Sequence, residues 1–220
     1  MRRGPAVLLL ICLLFGAAYG AWRAASFGYA RLSAFQPAAA LAERPATGSP
    51  PLAERVVLLI IDGLTGDRVY RLPSLDWLRR RGAHYRLDTA GIEGAGDLTA
   101  TLLSGAPPVN DGFPPAPAGG RTGTDSLIEA AARSQAPAGG AGGSVLAALA
   151  DGALSPWHSG DSLAELEDAL TEMLEPGGPR LIVVQAGDLA ESDVDDAALA
   201  ELDLRLVSLF DLIDWRTTAL

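Results

Sequence analysis

The sequence predicts an α/β domain with a mostly parallel sheet flanked by helices, and three observations carry that expectation. Val56-Val-Leu-Leu-Ile-Ile61 is a continuous apolar run closed by Asp62-Gly63, the pattern of a strand buried on both faces. Leu181-Ile-Val-Val-Gln185 repeats the pattern ahead of Asp188. Helical periodicities lie between and after the two runs, so strands alternate with helices as a parallel sheet demands.

Ahead of the domain, Arg2 and Arg3 precede an uncharged stretch from Gly4 to Trp22, centred on Ala6-Val-Leu-Leu-Leu-Ile-Cys-Leu-Leu-Phe15. A positive start followed by an apolar run is an export signature. The 19 residues of this run come close to the roughly 20 that a helix needs to span the hydrocarbon core. Residues 1–22 are therefore read as a signal anchor or transmembrane helix, which puts the domain on the periplasmic or extracellular side. Cleavage after Gly20, among Ala17, Ala18 and Ala21, is the alternative. Residues 23–54, rich in Ala and Pro, read as a linker, and 55–220 as the domain.

Within the domain, Pro73 and Ser74 open a short helix carrying Leu75 and Leu78, with Gly82 as its stop signal. A second helix is predicted from Asp97 to Ser104, ended by Gly105, and 106–123 is a Pro/Gly-rich loop. Ser126 and Glu129 have capping-box spacing for a helix over 125–134. The Gly/Ala-rich stretch 135–143 reads as a flexible loop that buries little. Asp161 is placed to cap an amphipathic helix with Leu163, Leu166, Leu170, Met173 and Leu174 on one face, closed by Pro176-Gly177. A long helix with Leu199, Leu202, Leu206, Leu209, Phe210 and Ile213 in register follows the second strand, and a third strand begins at Thr218.

Composition narrows the chemistry. The net charge is −10 and every basic side chain is arginine, so no basic cluster is available to neutralise nucleic-acid phosphates, and no nucleic-acid partner is expected. Cys12 is the only cysteine and lies in the apolar run, which leaves no thiolate catalysis and no cysteine zinc site in the domain. Without lysine there is no lysine phosphate loop.

In an open parallel sheet, ligands bind beyond the carboxyl ends of the strands. Asp62 and Asp188 fall there, where carboxylates hold divalent cations. Strand-end aspartates also cap turns or helices, and spacing alone leaves both readings open. Thr99 and Thr101 are hydroxyls near this edge but inside a helix. His84 is read as structural at the start of a strand and His158 as a loop residue. Asp195, Asp196, Glu201 and Asp203 read as a solvated helix face.

The segment Val56–Leu64, with Leu72-Pro-Ser-Leu-Asp-Trp-Leu78 and Arg81-Gly-Ala83, resembles the opening of the alkaline phosphatase superfamily, in its type I phosphodiesterase and nucleotide pyrophosphatase branch. Ala100-Thr-Leu-Leu-Ser-Gly105 with Pro108 and Gly112, Asp125–Ala131, the strand leading to Asp188, and Asp214–Leu220 fit the same order, so the resemblance covers about 55–220. It implies Asp62 as a ligand of one zinc-like divalent metal and Asp188 as a ligand of the other, the pair activating a Ser or Thr nucleophile for phosphoryl displacement. Ala95 stands at the implied nucleophile position, with Asp97 where that branch has proline. Ser192 replaces a ligand histidine, Asp111-Gly112 replaces a His-Gly, and a later Asp-His-Gly would follow Thr217. The resemblance thus implies an incomplete domain with no catalytic residue and a weak or absent metal. Two function classes stay open: a non-catalytic binding or scaffolding domain at a membrane, and a fragment of a metal-dependent phosphodiesterase.

Overall fold

The computed structural model describes residues 4–33, 53–85, 94–105, 126–189 and 194–220. Helix α1 (Gly4–Ser33) is one 30-residue helix, about 45 Å long. It runs past the linker boundary expected at Trp22, through Ala24-Ala25 and Ala30, residues of high helix propensity. Over the residues whose side chains are described, which take in only 13–27 of this helix, no helix is long and apolar enough to cross a membrane. The side chains of 4–12, 28–33 and Ala95 lie outside the described residues, as do 34–52 of the expected linker, the 106–123 loop, Asp111-Gly112 and Ser192.

Beyond it come β1 (Arg55–Ile61), α2 (Gly66–Val69), α3 (Pro73–Arg79), α4 (Ala95–Ser104), α5 (Leu127–Arg133), β2 (Ala138–Gly142), α6 (Ser144–Ala150), β3 (Trp157–Ser159), α7 (Leu163–Leu174), β4 (Leu181–Ala186), α8 (Asp196–Leu212) and β5 (Thr218–Ala219). The strands form one five-stranded sheet in the order β3-β2-β4-β1-β5, and every pairing is parallel. Ile182, Val184 and Ala186 of β4 face a core with α3, α7 and α8, whereas Leu181 and Val183 face one with α4, α5 and α6. Helices thus cover both faces, and the expected α/β architecture stands.

The largest departure from expectation is β2. The Gly/Ala segment is a fully buried strand, Ala138-Gly-Gly-Ala-Gly142, between β3 and β4. Its small residues make room for large neighbours: a Cβ on Gly139 would lie 2.7 Å from Pro179 Cγ, and one on Gly140 would lie 2.4 Å from Leu154 Cδ1. The apolar surface here comes from Leu154, Trp157 and Met173 rather than from the strand. Helix α6 follows directly, burying Leu146, Leu149 and Ala150.

β1 is less covered than expected. Val57 and Ile60 are buried, but Val56 is exposed and the other residues are half-buried. The two-residue β5 pairs only with Arg55 and Val56, so among the described residues the rest of that edge has no strand beside it. β4, flanked on both sides, is buried throughout.

Helix ends also refine the reading. Gly105 ends α4 in the left-handed conformation (φ 68°), and Ser126 and Glu129 form the capping box at α5. α3 ends at Arg79 in a right-handed turn, where Gly82 N–H donates to Leu78 O (3.0 Å) without a left-handed glycine. Ser162, not Asp161, caps α7: its hydroxyl accepts from Glu165 N–H, while Asp161 N–H donates to Glu165 Oε2 (2.8 Å). The other end of α7 is held by Arg55, which donates to Leu174 O (2.6 Å), Glu175 O (2.9 Å) and Pro179 O (3.1 Å), a cation at the negative pole of the helix. The α8 acids are not merely a solvated face. Asp195 caps α8, Asp196 pairs with Arg71, Glu201 lies 3.7 Å from Arg205, and Asp203 accepts from Ser74 N–H (2.9 Å) and Oγ–H (2.6 Å). Asp203 thereby supplies the cap that Leu72 cannot give α3.

Candidate functional site

β1 and β4 run side by side, with Ile61 opposite Ala186, and Asp62 N–H donates to Ala186 O (2.8 Å). Asp62 and Asp188 therefore sit on loops leaving the carboxyl ends of adjacent strands, as expected. Their side chains have different partners. The Gln185 Nε2 amide donates to Asp62 Oδ2 (2.8 Å) and reaches Thr99 Oγ1 of α4 at 3.3 Å. Asp188 Oδ2 accepts from Leu163 N–H (2.8 Å), in the first turn of α7. Asp188 thus acts as a helix cap, although for a helix that precedes it in the chain.

Gln185 and Thr99 are buried and Asp62 is half-buried. Gln185 points to the α4 face because side chains alternate along a strand, which places it with Leu181 and Val183. Its Oε1 is buried and has no hydrogen-bond partner among the described residues. Arg68 joins the two loops, donating to Gly63 O (2.8 Å) and Leu189 O (3.2 Å). Gln185 carried a signal in the sequence, since a polar residue at the end of a buried apolar run needs partners. Arg68 carried none.

Ala95 is the first residue of α4, and Gly94 before it offers no side-chain cap. Thr101 Oγ1 donates to Asp97 O (2.8 Å), which spends its hydroxyl on the helix. The histidines lie elsewhere. His84 is exposed in a segment without regular structure, its ring edge-on to Tyr70 at 6.4 Å, so no strand begins there among the described residues. His158 is on strand β3 rather than in a loop, paired in register with Ala141, and its Nε2 lies 3.9 Å from Glu172 Oε2. Among the described residues no group of three His, Cys, Asp or Glu side chains is placed to hold a metal ion.

Burial lifts the Asp62 carboxyl above its ordinary range, and the hydrogen bond from Gln185 partly opposes the rise. An acid with a raised pKa binds its proton more readily folded than unfolded. It therefore favours folding at low pH, and this contribution is lost as the pH rises through the folded pKa. Asp62→Asn keeps an oxygen for the Gln185 amide but cannot ionise. The variant should gain stability relative to the natural chain as the pH rises from the carboxylate range to neutrality. Thermal melts of both proteins across that range check this, and parallel profiles would refute it.

No protein-family model matches the chain, and no curated protein matches it.

Proposed function

We propose that the chain is a membrane-anchored, alkaline phosphatase-like domain of the phosphodiesterase type that binds or scaffolds rather than hydrolyses. The helix Gly4–Ser33 is its anchor, inserted through the uncharged run that ends at Trp22. The architecture of the domain supports the reading: a parallel sheet covered on both faces, with Asp62 and Asp188 at the carboxyl edge of neighbouring strands.

One observation carries the non-catalytic half. The Asp62 carboxylate, the first implied metal ligand, is held by the Gln185 amide. A catalytic zinc usually keeps three protein ligands. Here the second implied ligand, Asp188, is tied to the α7 backbone, and neither histidine lies with the pair. The described residues do not fit a two-zinc centre, and α4 opens on Ala95, which has no oxygen to activate.

Neither the full chain nor its Ala95→Ser and Ala95→Thr variants should release nitrophenol from aryl phosphate mono- or diesters above background, with zinc or manganese supplied. Restoring the hydroxyl is insufficient because nothing at the site would lower its pKa. Metal-dependent turnover by the natural chain, abolished by Asp62→Ala, would overturn the proposal.

A further inference from the structure

The edge of the sheet opposite Asp62 carries an exposed aromatic and basic face. Helices α3 and α8 both run back from the carboxyl edge of the strands to the amino edge, where their ends meet. There Trp77 stacks on Phe210 (6.2 Å between centroids), and Trp215 packs edge-on to Trp77 (5.5 Å) and Phe210 (5.8 Å). The Trp215 indole N–H donates to Phe210 O (3.1 Å). These contacts close the lower end of the core, yet Trp77 and Trp215 remain 37% and 39% exposed. The Arg81 guanidinium lies 4.1 Å above the Trp77 ring. Arg79 and Arg80 share the single carboxylate of Asp76. Three guanidiniums against one carboxylate leave the end of α3 with net positive charge in a chain of net charge −10, a local basic cluster that overturns the expectation of none, while the Asp214–Arg216 pair beside Trp215 adds no net charge.

The same edge receives the chain from the N-terminal helix. Glu54 N–H and Arg55 N–H both donate to Thr217 O (2.8 and 3.1 Å), close in sequence to Trp215. Only residues 34–52 separate Ser33 from this entry point. Even a fully extended chain of that length reaches about 65 Å, so a bilayer holding the helix is always within reach of the domain. Tryptophan and arginine are side chains suited to the headgroup layer, each with an apolar body and a polar or charged end.

We propose that the Trp77–Trp215 face, with Arg79, Arg80 and Arg81, docks on an anionic phospholipid surface, turning the edge that bears Asp62 and Gln185 away from it. The docking rests on the membrane-anchor reading of the N-terminal helix. The headgroup phosphates meet the arginines, and the indoles enter the layer beneath.

The test uses the full chain carrying Trp22→Phe, assembled one chain per disc in lipid nanodiscs. The discs are phosphatidylcholine with or without phosphatidylglycerol, their acyl chains brominated or not. Brominated discs containing phosphatidylglycerol should cause a loss of tryptophan emission that phosphatidylcholine discs do not. Raised salt and the combined Arg79→Ala, Arg80→Ala, Arg81→Ala substitution should each restore the emission, with docking about fivefold weaker per arginine removed. A chain that co-purifies with the discs but shows equal emission in brominated and unbrominated lipid overturns the docking while leaving the anchor intact. A chain that does not co-purify overturns the anchor, and the docking with it. Tryptophan changes that need several chains per disc and ignore bromination assign the face to a second copy of the chain and also overturn the proposal.

Discussion

Gly140→Val should cost about 3 kcal/mol or more, at or beyond the upper end of what overpacking a well-filled core usually costs. A Cβ there would stand 2.4 Å from Leu154 Cδ1, 3.1 Å from Val183 O and 3.3 Å from Trp157 Cζ3. Leu154 could rotate, but Val183 O belongs to the backbone of the fully buried strand β4 and cannot yield without breaking register. Domains of ordinary stability have only about 5–15 kcal/mol in total, so the loss should be plain in a urea titration. Gly66→Ala is the control, because nothing lies within 4 Å of a Cβ at that position. The control should unfold near the natural midpoint and Gly140→Val well below it. Equal midpoints would mean that β2 is not the tightly packed, buried strand described above.

Leu206→Ala should cost about 2–5 kcal/mol, the range for truncating a large buried aliphatic side chain. Leu206 is 0% exposed within the core shared by α7, α8 and the sheet. Leu204, two residues away on the same helix, is 70% exposed, and Leu204→Ala should change stability by no more than about 0.5 kcal/mol. The pair tests the facing of α8 with one chemical change at two positions. A large loss at 204, or none at 206, would require the helix to be rotated on the sheet.

The facing of α8 was legible in the sequence because its leucines recur at helical spacing, and the same holds for α7. β4 was legible as an apolar run. β2 was not, and the reason is specific. Pattern reading finds strands through the apolar side chains they contribute, whereas β2 contributes almost none. Its burial is supplied by Leu154, Trp157, Met173 and Pro179, which approach from other elements. Strand propensity speaks against glycine, and tertiary packing overrode it. The site was legible only in part. The positions of Asp62 and Asp188 at the strand ends followed from sequence. Their partners did not, since Gln185 is separated from Asp62 by 123 residues and Leu163 from Asp188 by 25.

The sequence by itself determined the α/β class, the helical N-terminal segment, the faces of the long helices, and the strand-end carboxylates. These depend on local periodicity and on turn residues, which act over a few positions. Only the tertiary structure decided that Asp203 caps α3, that Arg55 closes α7, and that Gln185 rather than a third acidic or imidazole group meets Asp62. Each of those contacts joins residues far apart in the chain. A polar side chain carries the need for a partner in its own chemistry, but packing chooses which partner arrives.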